Sequence, residues 1–145
     1  MSIYLIAPFF AWFVAGSTKF VVNSIKARRL AFDLIGYGGL PSTHSRIVSC
    51  AVALIWIREG ADSPILLVAL TLAFIVILDA SSLRRHVGKQ AAQINILNQN
   101  SDNRKKLRER IGHTKIEVLA GIVTGAICAY ILHSFDLYLF DSASL

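Results

Sequence analysis

Apolar residues along the chain fall in blocks separated by short polar stretches, two of them strongly basic. The first block covers residues 3–22 and holds one charge, Lys19, near its end. The second covers 44–57 and reaches Gly60 if its polar ends sit at an interface. Pro64–Leu78 is nearly unbroken and Asp79 follows it, while the last block, 118–135, is interrupted only by small or weakly polar residues. A membrane-crossing helix takes roughly 20 apolar residues, and somewhat fewer where flanking side chains snorkel. The pattern therefore predicts four spans, the second being marginal in length. No Lys or Arg precedes the first block, so it reads as a span and not as a signal peptide.

The connection between the third and fourth blocks is too long for a bare turn. Residues 84–98 place Val87, Ala91, Ile94 and Leu97 near one face at helical spacing, with Arg, Lys and Gln around them. That spacing predicts an amphipathic helix lying at the interface or capping the bundle. Residues 100–103 read as a turn, and 104–111 as a second short basic helix. The expected fold class is an all-α integral membrane protein, a small bundle of about four transmembrane helices plus one or two amphipathic cytoplasmic helices. Residues 1–145 then form a single membrane-embedded domain.

Composition narrows the class further. Hydrophobic residues make up 54% of the chain and charged ones 17%, against about a quarter charged in a soluble globule. So much apolar surface excludes disorder, and two cysteines, Cys50 and Cys128, both in apolar blocks, exclude a disulfide scaffold. The net charge of +6 is unevenly placed. Lys26, Arg28 and Arg29 face Asp33 between the first two blocks, and nine Lys and Arg face Asp102 and Glu109 between the third and fourth. The other connection offers Arg58 against Glu59 and Asp62, and the C-terminal tail only Asp136 and Asp141. Positive charge marks the cytoplasmic side, which places both basic loops there and both termini outside. The expected location is a bacterial-type inner membrane or an organelle membrane.

Polar groups in or beside the spans carry the functional signal, because ionisable residues at a membrane normally face the protein interior. Gly38-Gly39-Leu40-Pro41-Ser42-Thr43-His44-Ser45 stands directly before the second block. Its glycines loosen the backbone, Pro41 stops a preceding helix, and Ser42 or Thr43 can cap the next one. Free N–H groups at such a helix start attract phosphate, and His44 can hand a proton to a leaving oxygen. A plain helix cap with an interfacial histidine explains the same residues. His113 and Glu117, four apart at the head of the last block, share a helix face. A carboxylate on one imidazole nitrogen leaves the other as base or nucleophile, although a local ion pair gives the same spacing. Zinc would need further ligands, and no metal is expected. Asp79 can hold an inward-turned arginine of the Arg84-Arg85 pair as a fork for phosphate oxygens, whereas snorkelling to headgroups is the commoner use. Lys19 makes a similar case, and all of these groups map to one membrane face. His86 and His133 receive no role beyond interfacial polarity.

Pro41-Ser42-Thr43-His44 resembles the P-S-x-H motif of the type 2 phosphatidic acid phosphatase and vanadium haloperoxidase superfamily. With Asp79-Ala80, Arg84-Arg85, Gly88-Lys89-Gln90-Ala91, Gly112-His113 and Glu117-Val118, the ordered set is similar to the small divergent branch of that superfamily, over residues 19–121. The resemblance implies metal-independent phosphomonoester hydrolysis through a phosphohistidine, without a cofactor. His113 is then the nucleophile, Glu117 its orienting carboxylate and His44 the general acid. Lys19, Arg28, Ser42, Thr43 and one of Arg84 and Arg85 would bind phosphate, with Asp79 in support. Glu117 stands where the superfamily usually has aspartate, and Thr43 where it has glycine. The expected substrate is a phospholipid or isoprenoid phosphate such as phosphatidate, phosphatidylglycerophosphate or a polyprenyl phosphate, met at the cytoplasmic face. The bilayer is the other expected partner, nucleic acid is not, and four spans leave a homodimer open. The competing expectation is a non-catalytic membrane protein whose basic loops bind anionic lipid or a protein partner.

Overall fold

A computed structural model of the protein describes residues 3–30, 40–99 and 106–142, and every regular element in it is helical. The elements are α1 (Ile3–Ala27), α2 (Thr43–Glu59), α3 (Pro64–Leu78), a π-helical turn (Asp79–Leu83), α4 (Arg84–Leu97) and α5 (Lys115–Ser142). Asp33, Gly38, Gly39, Arg104, Lys105 and the 100–103 turn lie outside the described residues.

Small side chains set how the helices meet. On α1 the buried residues are Ile3, Ala7, Ala11, Ala15 and Lys19, one every four positions, a ridge that lets a neighbouring backbone come close. On α5, Gly121 and Gly125 face the start of α2. A Cβ on Gly121 would stand 2.6 Å from the Ser42 carbonyl oxygen, and one on Gly125 would stand 2.5 Å from that of Arg46. This small-xxx-small spacing is what membrane helices use, because lipid tails are as apolar as leucine and contact must come from close packing. Around it lies a core of small and medium residues, Ala7, Ala11, Cys50, Leu54, Cys128 and Ala129 among them. The bulky apolar groups point outward: Leu67 and Phe74 on α3 are 68% and 65% exposed, as suits a surface solvated by lipid.

Among the described residues, three helices are long and apolar enough to cross a membrane: Ile3–Ala27, Pro64–Leu97 and Lys115–Tyr138. The protein is thus an all-helical membrane protein, but α2, the expected second span, is not among the three. Its 17 residues rise about 25 Å, short of a hydrocarbon core of roughly 30 Å. It packs against α1, α3 and α5, so helices rather than lipid surround it, and Arg46 and three serine and threonine residues are tolerated there. At the end of α2 away from Thr43, Arg58 pairs with Asp136 at 3.0 Å and lies over the Tyr4 ring. The Tyr4 hydroxyl donates to the Glu59 carboxylate beside it.

Two expectations for the long connection are corrected. The amphipathic helix exists, as α4, but it is not a separate element. It continues α3 through the π-turn as one helix of 34 residues, about 50 Å long, so its basic end extends beyond any hydrocarbon core. The second basic helix is absent from the described part, residues 106–111. Asn95 explains why: its amide nitrogen donates to the Leu107 carbonyl and its oxygen accepts from the Leu107 N–H, both at 2.8 Å. That side chain satisfies the strap's backbone from outside, in place of a helical ladder. Gly88 makes room for it, since a Cβ there would stand 2.3 Å from the Glu109 carbonyl oxygen.

The two kinds of glycine should separate by mutation. Gly125→Ala should destabilise the folded protein by about 1–3 kcal/mol, because α2 and α5 must part. Gly16→Ala meets nothing within 4 Å and should be neutral or stabilise by up to about 1 kcal/mol through helix propensity. Unfolding titrations in mild detergent read both; equal effects would contradict the packing described.

Candidate active site

Four segments distant in sequence come together at one end of the bundle: the later turns of α1, the start of α2, the π-turn, and the start of α5. Backbone hydrogen bonds fix three of them to each other. The Ser42 N–H donates to the Glu117 carbonyl at 2.9 Å, and the His113 N–H donates to the Ala80 carbonyl, also at 2.9 Å. A π-turn interrupts the regular ladder of a helix, and such interruptions free backbone groups for other partners. Gly112 brings the chain into place at φ 91°; a Cβ there would stand 2.8 Å from Arg85 Cγ and 2.9 Å from its backbone nitrogen. Only glycine serves at that position.

The start of α5 is a reciprocal capping box. The Thr114 hydroxyl accepts from the Glu117 N–H at 3.3 Å, and the Glu117 carboxylate accepts from the Thr114 N–H at 2.9 Å. The same carboxylate oxygen lies 3.2 Å from His113 Nδ1. One glutamate thereby caps the helix and fixes the imidazole: with Nδ1–H donated to Oε2, the lone pair is on Nε2. His113 is buried, and its ring centre lies 6.1 Å from that of His44, with the planes tilted by 56°. His44 Nδ1 is buried and has no hydrogen-bond partner among the described residues. The two imidazoles are close enough for one small group to reach both.

Positive charge surrounds them. Lys19 is 7% exposed, and no hydrogen bond or ion pair holds its ammonium among the described residues. Arg84 Nε donates to Asp79 Oδ2 at 2.6 Å, which steadies the guanidinium beside the histidines. Burial holds His113 below the usual histidine range; the hydrogen bond it donates to Glu117 draws it back up, and Lys19 and Arg84 push it down again. A neutral imidazole with an oriented lone pair is a competent nucleophile, and the nearby cations suit an anionic substrate.

Lys19, Ser42, Thr43, His44, Asp79, Arg84, His113 and Glu117 therefore share one neighbourhood. Ser42 is fully buried, with its hydroxyl accepting from the Ser45 N–H at 3.3 Å as the cap of α2. The arginine pair is split: Arg84 faces the histidines, while Arg85 lines a separate polar pocket of about 200 Å³ with Ser81, Ser82, His86 and Lys89. Arg28 is exposed in the left-handed residue that closes α1, at φ 51°, with Arg29 N–H bonded back to the Ser24 carbonyl. Nine residues beyond Lys19, it is about 13 Å further along the helix direction.

Sequence reasoning passed over Arg46. It is 1% exposed, with Nε donating to the Thr124 hydroxyl at 2.9 Å and Nη1 to that of Thr18 at 3.2 Å. Hydroxyls from α5 and α1 hold this cation, and no carboxylate pairs with it among the described residues. A lone arginine inside an apolar block was the available signal. The Gly121-x-x-x-Gly125 spacing was equally legible.

The family model described as "Divergent PAP2 family" matches residues 2–128. Among curated proteins, the "Uncharacterized membrane protein YuiD" of Bacillus subtilis (strain 168) is 34% identical over 134 residues, covering 81% of this chain and 85% of the relative. No solved structure matches the chain.

The histidine environment makes a titration testable. His113 should protonate with a midpoint below 6.5, followed by NMR of its ring protons. Its folded value lies below the unfolded one, so its contribution to stability is complete above about 6.5 and is lost as pH falls through the folded value. Glu117→Gln should lower the midpoint further, because the raising partner is gone. A midpoint at or above 6.5, or an upward move in the variant, would contradict this account of the site.

Proposed function

The chain belongs to the divergent PAP2 family, and from that premise we propose that it is a phosphatase hydrolysing lipid phosphate monoesters through a phosphohistidine on His113. The observation that carries the reading is the meeting of a carboxylate-oriented imidazole with a second imidazole 6.1 Å away, beneath cations that lack enough acid partners. His113 Nε2 attacks phosphorus while the bond to the lipid oxygen breaks, and His44 delivers a proton to that oxygen. Water then attacks the phosphohistidine, giving its proton to His44; phosphate leaves and His113 returns to its starting state. Lys19 and Arg84 neutralise the equatorial oxygens as charge develops, so the scheme works without a metal. Arg46 adds a fixed positive charge from one turn deeper, while Ser42 and Glu117 hold the helix starts around the phosphate. Thr43 supplies an N–H at the first turn of α2.

The basic stretches support a cytoplasmic orientation for this end of the bundle, by the positive-inside rule. In intact cells, a cysteine replacing Arg108 should resist labelling by an impermeant maleimide, and one replacing Gly60 should react. The reverse pattern would invert the orientation.

A second reading, a non-catalytic protein that binds anionic lipid, is favoured by one observation: Arg85, His86 and Lys89 form a cationic pocket apart from the histidines. Leaving-group dependence distinguishes the two. His113→Ala should abolish release of phosphate from every substrate. His44→Ala should reduce hydrolysis of a lipid phosphate by about 10²–10⁴-fold yet spare p-nitrophenyl phosphate, whose leaving group departs without a proton. Near wild-type hydrolysis in both variants would end the phosphohistidine reading, and intact vesicle binding in proteins with no turnover would favour the second.

A further inference from the structure

Beside Lys19 the surface of α1 is not a smooth ridge. Trp12, Phe13 and Phe20 stand as walls around Gly16, enclosing a groove of about 400 Å³ that opens to the lipid side. A volume of this size falls in the range of small-molecule sites, about 300–1,000 Å³. Gly16 is not demanded by packing: a Cβ there would meet nothing within 4 Å, unlike those at Gly121, Gly125, Gly88 and Gly112. The backbone is ordinary helix at this position, so the missing side chain creates space and nothing else.

The groove has a polar end. Lys19 and Thr43 line it there, and Thr43 is followed in the chain by His44. From Trp12 to Lys19 the helix rises about 10 Å, so an extended chain lying along the wall keeps its head at the histidines. A mouth that is apolar along its length and cationic at one end fits an amphiphile with an anionic head. It does not fit a free phosphate, which has no use for the walls.

We infer that this groove holds the hydrocarbon chain of the phosphate-bearing substrate, and that Gly16 is the residue that admits it. The inference rests on the proposed phosphatase reading for the identity of the head site. Lipid tails gain little by moving from bilayer to protein, so the groove acts by steering rather than by hydrophobic affinity. A chain seated between Trp12 and Phe20 fixes where its phosphate stands relative to His113, and an error of about 1 Å in such placement costs on the order of 10²-fold in rate. Gly16 is thus a specificity-determining residue, not a catalytic one.

Gly16→Leu occupies part of the groove; its Cβ meets nothing within 4 Å and leucine raises helix propensity, so the variant should fold. With the full chain in detergent micelles, its kcat/KM for dioleoyl phosphatidate should fall by about 10–10²-fold while that for p-nitrophenyl phosphate stays unchanged. In parallel, displacement of bound vanadate by hexadecylphosphonate should weaken in the variant, and displacement by methylphosphonate should not. Equal kinetics on phosphatidate, or equal loss on both substrates, overturns the groove. Should the wild type hydrolyse neither substrate while the phosphonate discrimination is still lost in the variant, the groove stands and the phosphatase reading falls. A change in oligomeric state by light scattering, with substrate discrimination unaltered, would instead assign the groove to a second copy of the chain and overturn the proposal.

Discussion

The site depends on how closely α2 and α5 approach. Gly121 and Gly125 bring the two backbones near enough that a single methyl group at either position would collide with an α2 carbonyl. Only at that distance does the Ser42 N–H reach the Glu117 carbonyl, joining the cap of one helix to the cap of the other. The two helix starts then share an end of the bundle, with His44 and His113 side by side. Because water is absent from the surrounding lipid, a backbone donor left unmet there would cost several kcal/mol, so this tie resists loosening.

The third participant, the π-turn, extends the same logic to the far side of the site. By interrupting the helix from Pro64 to Leu97, it presents the Ala80 carbonyl to His113 and sets Asp79 against Arg84. The helix need not break for this, and its amphipathic continuation holds the 106–111 strap through Asn95 and Gly88. The strap leads to Gly112 and so delivers His113. Chain segments far apart in sequence are thus positioned mainly by backbone bonds, leaving the side chains of the site available for chemistry.

Electrostatics runs against the usual preference of a membrane interior. Lys19 and Arg46 are both buried, and the hydroxyls of Thr18 and Thr124, rather than a carboxylate, hold Arg46. Unpaired buried charge is destabilising by several kcal/mol, and proteins accept such a cost where an anion completes the balance. Burial of His113 works in the same direction, keeping its imidazole neutral. The bundle sacrifices stability at one end, while the Tyr4–Glu59 and Arg58–Asp136 pairs hold the other.

The order of apolar blocks determined the helices, because hydrocarbon demands long runs of apolar residues and charge marks where they end. Motif residues were legible for a similar reason: His44, His113 and Glu117 stand at block edges, where a polar group is conspicuous against its neighbours. Periodicity also found the amphipathic helix, since Val87, Ala91 and Ile94 repeat at helical spacing. It was silent on whether that helix joins α3, because a π-turn changes hydrogen bonding without changing composition. The failure at 106–111 has the same origin: Asn95 replaces a helical ladder from a distant position, and no local propensity contains that information. Span counting stopped at α2, whose burial by three other helices is a property of the assembled bundle. Arg46 was visible as a residue but not as a buried one, for burial depends on what Thr18 and Thr124 bring to it from other helices. The split of Arg84 from Arg85 likewise follows from helical rotation after the π-turn, which turns adjacent positions about 100° apart. Sequence determines where each polar group lies along the chain; only packing decides which of them share a space.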